Sequence, residues 1–388
     1  MDEIPGSGDL GGEIRERSEN IASFLALQSR HLLLISRTVA GLEDDLQKII
    51  SVCDVSFKDG TGEADVEGIL NGVVSMLALC SGDRTEALIL AFCEKLSKAP
   101  SQEMSLVCLK VLWSLFQSLA EASAMRFHVY YYLVGIAGKT GQLNTVYKDM
   151  AATTIMFTKA PLTTEQRQKL YRLLHEVLLA NRKADQAGKV MVDLLGTYTT
   201  ENASEAKEEA QRCIIASLAD PSTFLFDHLL SLKPVKFLEG QKIHDLLKIF
   251  VFDKLEVYIK FYEANKDFVN GLGLKHEDNV RKMKLLSFMQ LAENRSDISF
   301  AEIQHSIQIK EDEVEEFLID VIKTKLVRAK IAQGDRTVHV SSTMHRTFGP
   351  GDWQQLHQLL TQVQHLHPGK VGQGTCISIF SRTGRGWI

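Results

Sequence analysis

Two short stretches carry residue types that could do nucleotide or metal chemistry, but neither has the spacing that this chemistry needs. The tripeptide GKT at 138–140 matches the end of a phosphate-binding loop, yet Leu133 stands where that loop needs its first glycine. Such a loop also follows a strand, whereas the residues before 138 have a helical pattern. His175 and Glu176 begin like the helix of a zinc protease, but Leu179 occupies the position of the second histidine ligand.

Two further patterns are also incomplete. His365 and His367 resemble the start of a metalloprotease site, but no aspartate follows at the required spacing. Gly271 and Gly273 lack the third glycine of a dinucleotide-binding loop and predict a turn at the end of a helix. No Ser/His/Asp or Cys/His group can be assembled from spacing. We therefore expect a protein that is not an enzyme, with no catalytic residue, no cofactor and no metal ligand.

The composition is that of an ordinary globular protein. Its 388 residues are 45% hydrophobic and 24% charged, and the net charge of -5 provides no overall attraction to nucleic acid. This length allows two or three domains. The cysteines form no CxxC pair and most lie in apolar helical runs, so we expect buried reduced thiols rather than disulfides or a zinc site. They are Cys53, Cys80, Cys93, Cys108, Cys213 and Cys376.

The early segment 21–40 is the one stretch near the start that could be taken for a targeting signal. Polar residues at 28–31 interrupt it, so it lacks the roughly 18 uninterrupted apolar residues of a membrane span. An acidic stretch precedes it instead of the basic residues that begin a signal peptide. We therefore expect a protein of the cytosol or nucleus.

Residues 280–348 have the pattern of three helices followed by a two-stranded hairpin. Ser299 stands three residues before Glu302, which is the spacing of a capping box at a helix start. The third helix has the clearest apolar stripe, which consists of Val314, Phe317, Leu318, Val321 and Ile322. After this stripe the hydrophobic period changes from that of a helix to that of a strand.

The predicted hairpin joins strands over 327–331 and 338–341. Apolar residues alternate with polar ones in both strands, and the turn at 333–336 contains Gly334, which we expect at a positive φ. Three helices followed by such a hairpin predict a winged helix over about 280–348. The fold by itself does not define a function.

The charges of this region argue against a third helix that reads duplex DNA. Six carboxylates lie within 311–320 and would repel a phosphate backbone. The predicted hairpin, which forms the wing, is basic, and its charge allows two interpretations. The basic surface is either a solvated face or partner for an acidic surface, or it contacts RNA phosphates. The candidate RNA contacts are Arg328, Lys330, Arg336 and Arg346.

The chain before the winged helix is predicted to be helical. Residues 1–20 are rich in glycine and charge and are expected to be disordered. From 21 to 220, helices follow one another with short connections, and prolines fall at the breaks. No strict repeat motif occurs, so we expect helical hairpins stacked in a degenerate helical-repeat solenoid. Helices are predicted at 104–120, 125–137, 143–157, 164–181, 184–197, 204–219 and 224–232.

A further helix is predicted after the winged helix, over 351–367. We expect its apolar stripe to be buried against another surface, which is either a helix of another protein or the wing of the same chain. Residues 368–388 are rich in glycine, contain no acidic residue and are expected to be disordered. The candidate interface residues of the helix are Trp353, Leu356, Leu359, Leu360 and Val363.

Helical hairpins followed directly by a winged helix resemble the PCI domain family, found in the proteasome lid, the signalosome and eukaryotic translation initiation factor 3. The run at 221–274 (PSTFLFDHLLSLKPVKFLEGQKIHDLLKIFVFDKLEVYIKFYEANKDFVNGLGL) is similar to the PCI domain of one initiation factor subunit. The segments MVDLLGTY and MHRTF, which begin at Met191 and Met344, are similar to it as well. The resemblance covers roughly 45–363 and indicates a solenoid over 21–220, followed by PCI end helices and the winged helix over 221–348.

The resemblance implies a non-catalytic scaffold subunit of translation initiation factor 3 in the cytoplasm. It implies as partners the other PCI and MPN subunits and, through the complex, the small ribosomal subunit during mRNA recruitment, with no membrane and no small-molecule substrate. A scaffold of the proteasome lid or signalosome, and a nucleic-acid-binding winged-helix protein, are the alternative functions. One edge of the wing would pair with a neighbour. The candidate interface residues there are Val327, Ala329, Ile331, Val338 and Val340.

Overall fold

The described residues form two compact units, which are divided between Tyr198 and Thr199. The fold is mainly helical with one small sheet, which lies in the second unit, so the predicted fold class is confirmed. The predictions for 1–20 and 368–388 fall outside the described residues, and a domain boundary after residue 220 stays a prediction. The computed structural model describes residues 21, 42–57, 62–78, 80, 84–293, 295–347, 349, 353–354, 356–358 and 361.

The first unit is an array of helices joined by short connections. Each of α1, α2 and α3 packs against the helix two further along the chain, and α4 packs on α5, α5 on α8 and α8 on α9. Packing between helices that lie close together along the chain is typical of stacked helical hairpins. The helices are α1 (Leu42–Val52), α2 (Glu63–Leu77), α3 (Thr85–Ser97), α4 (Gln102–Ser118), α5 (Met125–Lys139), α6 (Leu143–Val146), α7 (Met150–Met156), α8 (Thr164–Ala180) and α9 (Ala184–Gly196), with a 3-10 turn at Cys53–Phe57.

The prediction of a single helix over 143–157 is wrong, because the helix is interrupted between α6 and α7. Tyr147 adopts extended backbone angles, and the side chain of Asp149 then accepts the amide of Ala152 at 2.7 Å as an N-cap. The buried Tyr130 hydroxyl donates to the carbonyl of Val146 at 3.3 Å. The break therefore leaves this carbonyl with a partner, and Asp149 starts a new helix that the apolar period alone could not reveal.

The GKT tripeptide is the end of helix α5, where α5 and α8 approach closely. A Cβ built on Gly138 would lie 2.5 Å from Cγ1 of Val177. Lys139 donates to the carbonyl of Ser97 at 3.1 Å, and the Asn181 amide donates to the carbonyl of Gly138 at 3.2 Å. The glycine and the lysine thus serve helix packing, and no phosphate-binding loop forms here.

We expect Gly138→Ala to lower the free energy of unfolding by about 1–3 kcal/mol, because the new methyl group overlaps Val177. In the same helix, nothing lies within 4 Å of a Cβ built on Gly135. Gly135→Ala is therefore the matched control, and we expect it to be neutral or to stabilise by about 0.5–1 kcal/mol. Urea denaturation followed by circular dichroism measures both. Equal effects of the two substitutions would contradict the close approach of the helices.

The second unit begins with short helices and ends with the winged helix. The predicted helix at 204–219 starts as a 3-10 turn, Ala203–Ala206, and the helix at 224–232 is reduced to Asp227–Ser231. The elements are α10 (Lys207–Ala219), α11 (Asp227–Ser231), α12 (Lys233–Lys236), α13 (Lys242–Phe252), α14 (Leu255–Ala264), α15 (Lys266–Gly271), α16 (His276–Ala292), β1 (Asp297–Ser299), α17 (Phe300–Ile307), α18 (Val314–Lys323), β2 (Val327–Ala332) and β3 (Thr337–Thr343), with a 3-10 turn at Glu311–Glu313.

A buried lysine joins the first helix of the winged helix to α10. Lys282 of α16 is 4% exposed, and its ammonium donates to the carbonyls of Ser217 and Leu218 at 3.2 and 2.7 Å. These carbonyls belong to the last turn of α10, where no intrahelical donor is available. Burial lowers the pKa of Lys282 to about 8. The ammonium also lies 5.4 Å from the centre of the Phe226 ring.

The winged helix has the order α16, β1, α17, α18, β2, β3, and its sheet contains one strand, β1, that the sequence pattern does not predict. Strand β1 pairs antiparallel with β3, with Ile298 opposite Val338. Three residues with one buried apolar side chain are too short to show strand alternation. The predicted capping box is confirmed, since Ser299 and Glu302 bond reciprocally at the start of α17.

The turn of the hairpin differs from the prediction at one residue. Arg336, and not Gly334, has the positive φ, with a value of 51°. The carbonyl of Arg336 accepts the amide of Phe300 at 3.0 Å, and its guanidinium pairs with Glu311. Arg336 is the last residue of the loop between Ala332 and Thr337, and its amide donates to the carbonyl of Gln333 at 3.3 Å, so the left-handed residue closes the turn.

Candidate functional site

The order of the strands decides which edge of the wing is open to another protein. The sheet has the order β1-β3-β2, so β3 has a strand on each side. Within the described residues β2 pairs with β3 on one side and has no strand on the other. The sequence left open which hairpin strand forms the edge, and this geometry assigns the edge to β2.

Backbone alternation shows which groups of β2 face outward. The amide of Val340 donates to the carbonyl of Ser296 at 2.7 Å, so Val340 faces the β1 side of its strand. The neighbouring residue His339 must then face β2, where Lys330 is its partner in the register. The backbone groups of Lys330 therefore point toward β3, and those of Ala329 point toward the open edge.

The side chains of the candidate interface residues belong largely to the core side of the sheet. Val327 and Val338 are completely buried. Ala329, Ile331 and Val340 are half-buried. Side-chain contacts of Val327 and Val338 with a partner are therefore excluded in this fold, and what the edge can offer is backbone hydrogen bonding.

Arg346 does not lie on the basic surface of the wing, which corrects its assignment as an RNA contact. It is 4% exposed, and its guanidinium donates to the carbonyls of Ile249 and Phe250 at 3.0 and 2.8 Å. Burial lowers its pKa to about 10, while the nearby carboxylates of Asp253 and Glu293 act in the opposite direction. The sequence places Arg346 next to the wing, but the last carbonyls of α13 bind it in the interior.

The other basic residues of the wing differ in how far their charge is neutralised. Arg336 pairs with Glu311, and His339 pairs with Asp297. Arg328 and Lys330 are exposed on β2, and no ion-pair partner occurs for them in the described part of the chain. Two of the four candidate RNA contacts therefore carry an exposed, unpaired charge.

The candidate residues of the C-terminal helix are only partly described. Trp353 is 59% exposed and its amide donates to the carbonyl of Gly349 at 3.2 Å. Leu356 is half-buried. The described residues 353–354, 356–358 and 361 are helical, as predicted. Leu359, Leu360 and Val363 lie outside the described residues.

The residues with chemical potential are mostly tied into the fold. Among the described residues, Cys53, Cys93, Cys108 and Cys213 are buried, and burial raises their thiol pKa values to about 12, so the prediction of buried thiols is confirmed for them. His175 contacts the carbonyl of Ala187 at 3.0 Å through Nδ1. In the described ranges, no group of three His, Cys, Asp or Glu side chains could hold a metal ion. A membrane-crossing helix is likewise absent from those ranges.

We expect Arg346→Met to lower the free energy of unfolding by about 1–3 kcal/mol, because methionine leaves the buried carbonyl of Phe250 without a donor, whereas that of Ile249 keeps the amide of Asp253. The guanidinium of Arg336, by contrast, forms a surface ion pair, and such pairs contribute about 0–1 kcal/mol. Arg336→Met is therefore the matched control, with the same change of side chain on the wing. Chemical denaturation measures both variants. An Arg346→Met protein as stable as the Arg336→Met protein would contradict the structural role of Arg346.

A helical array followed by a winged helix with an open strand edge defines a protein of the PCI class. The PCI domain model matches residues 262–342, from α14 to the end of the wing. The chain is 54% identical over 353 residues to eukaryotic translation initiation factor 3 subunit M of Aedes aegypti, covering 90% of this chain and 91% of the relative.

Further relatives carry the same name. Subunit M of Culex quinquefasciatus is 50% identical over 353 residues, which is 90% of this chain and 91% of the relative. Subunit M of Drosophila willistoni is 54% identical over 320 residues, or 82% of each chain. The chain belongs to the family of eukaryotic translation initiation factor 3 subunit M, as the resemblance in its sequence predicted.

Proposed function

We propose that the chain is a non-catalytic scaffold subunit of eukaryotic translation initiation factor 3 in the cytoplasm. Its relatives at 50–54% identity bear the name of that factor's subunit M. The incomplete catalytic motifs agree with a scaffold, since the GKT tripeptide ends a helix and His175 contacts a backbone carbonyl. Its partners are the other PCI and MPN subunits.

The observation that carries this proposal is the open edge of β2. A strand whose backbone groups lack partners can accept a strand of another protein, and backbone hydrogen bonds then supply affinity without exposed apolar side chains. The amide of Ala329 points to this edge by the register of the sheet. We assign to β2 the joint between this winged helix and a neighbouring PCI subunit.

The C-terminal helix supplies a second contact in this proposal. Trp353 exposes more than half of its surface, and a large exposed aromatic side chain is a common anchor at protein interfaces. We assign to the helix a place in a bundle of helices from several subunits. Through the assembled complex, the chain supports binding of the small ribosomal subunit and recruitment of mRNA.

Substituting Ala329 by proline tests the role of β2. Proline removes the outward amide but is tolerated on an edge strand, so we expect Ala329→Pro to fold normally and to lose at least about tenfold in incorporation into the reconstituted complex. Lys330→Pro removes an amide that points toward β3, and we expect it to lower the melting temperature. Gel filtration of the full complex, with thermal melting of the free chain, measures both effects.

Ala329→Gly is the control for the loss of the alanine methyl group, because glycine keeps the backbone amide. We expect it to assemble like the natural chain. Normal assembly of Ala329→Pro with an unchanged melting temperature would show that the wing edge is not the joint. Failure of the natural chain to enter the complex would contradict the proposed function itself.

We further propose that any RNA contact of this wing is weak, because Arg328 and Lys330 are the exposed unpaired cations among its four candidates. Neutralising two phosphates gives a slope of log affinity against log salt of about -1.4 for single strands. Fluorescence anisotropy of a labelled single-stranded RNA with the free chain measures this slope. We expect the double variant Arg328→Ala/Lys330→Ala to abolish the salt dependence of RNA binding. A slope of about -4 or steeper for the natural chain would contradict a weak contact through these two residues.

A further inference from the structure

An open groove of about 500 Å³ runs between α16 and α18, on the helical side of the winged helix. Three half-buried apolar side chains, Val280, Ile309 and Phe317, line it. The Phe317 ring meets Phe288 edge-on, with 5.9 Å between the ring centres. This contact anchors Phe317 to α16, so part of the apolar lining is held in place.

One ion pair crosses the groove and connects α16 with α18, the helices that form its two walls. Arg281 of α16 donates to Asp320 of α18 at 2.6 Å, and Lys323 approaches the same carboxylate at 3.3 Å. Phe288 lies two turns after Arg281, whereas its partner Phe317 lies one turn before Asp320. The two helices therefore run antiparallel along the groove, with contacts at both points.

The remaining charges make the groove acidic. Glu277, Glu313 and Glu316 line it, against Lys284 as the one further cation of the lining. The described residues contain no ion-pair partner for any of these four side chains. Ile319, which follows Glu316 by three residues on α18, is 47% exposed. The surface thus combines an apolar floor, an excess of carboxylates and an exposed aliphatic side chain.

Such a surface excludes two kinds of ligand. Pockets for small molecules enclose most of the ligand and are mainly apolar, whereas this groove is open and rimmed by charge. Carboxylates repel the phosphates of nucleic acids. The complement of an acidic rim around an apolar floor is a peptide segment with a large apolar side chain flanked by lysine or arginine.

We propose that the groove between α16 and α18 docks a basic segment of another protein subunit, with an apolar side chain on Phe317 and cations near Glu313 and Glu316. This inference rests on the proposed function, because it places the segment in the complex that the chain joins. It concerns a different surface from the edge of β2. A winged helix in this arrangement holds two neighbours, one through its sheet and one through its helices.

Site-specific photo-crosslinking in the reconstituted complex tests the proposal first. A photo-reactive amino acid replaces the exposed Ile319 in the full chain, and mass spectrometry identifies the crosslinked peptide. We expect one segment of another subunit, with lysine or arginine on both sides of a large apolar residue. Crosslinks to an acidic segment, to RNA or to no subunit would overturn the proposal while leaving assembly through β2 intact.

A synthetic peptide with the crosslinked sequence then tests the charges. We expect Glu316→Arg to weaken its binding to the full chain by about tenfold, because the substitution reverses a charge at the rim of the groove. Glu315→Arg is the matched control, since it makes the same change on α18 at a residue that does not line the groove. Its affinity should stay within about twofold of the natural chain.

Two results of the peptide experiment would overturn the proposal. One is equal weakening by Glu315→Arg and Glu316→Arg, which would indicate a general effect of net charge. The other is binding that does not weaken as salt is raised, since screened rim charges must contribute less at high ionic strength. Absence of the natural chain from the complex would overturn the proposed function and this inference together.

Discussion

The second unit depends on the need of helix C-termini for hydrogen-bond donors. The last carbonyls of a helix have no intrahelical partner, and burying them without one is costly. Lys282 donates to the carbonyls of Ser217 and Leu218 at the end of α10, and Arg346 donates to that of Phe250 at the end of α13. Both cations come from the winged helix or the segment directly after it, so the same contacts that complete the helices hold the winged helix on them.

This constraint also shapes the surface that remains for partners. Arg346 is buried in the interior, and Arg336 is paired with Glu311. The wing therefore exposes less positive charge than its sequence suggests. The acidic residues of α18 stay outside, around a groove with an apolar floor. The carboxylates of this third helix would repel a phosphate backbone, which agrees with the proposed docking of protein segments.

The sequence predicted those features that depend on neighbours along the chain. The capping box of Ser299 and Glu302, the apolar stripe of α18 and the alternation in the wing are all local patterns, and the structure contains each of them. The predictions failed where the cause was distant. Strand β1 exists because β3 lies beside it, and Arg346 is buried because the end of α13 lies beside it.

The sequence by itself determined the fold class and the family, because hydrophobic period, caps and a long stretch of similar residues are properties of the chain's order. Tertiary structure alone decided which residues could act at the surface. Two arginines of one basic stretch differ in burial, since Arg346 donates to a buried carbonyl of α13 while Arg328 is exposed on β2. Likewise the open edge belongs to β2 and not to β3 because a distant strand, β1, covers β3. Burial and strand order arise from contacts between segments far apart in the sequence, and a local pattern contains no record of them.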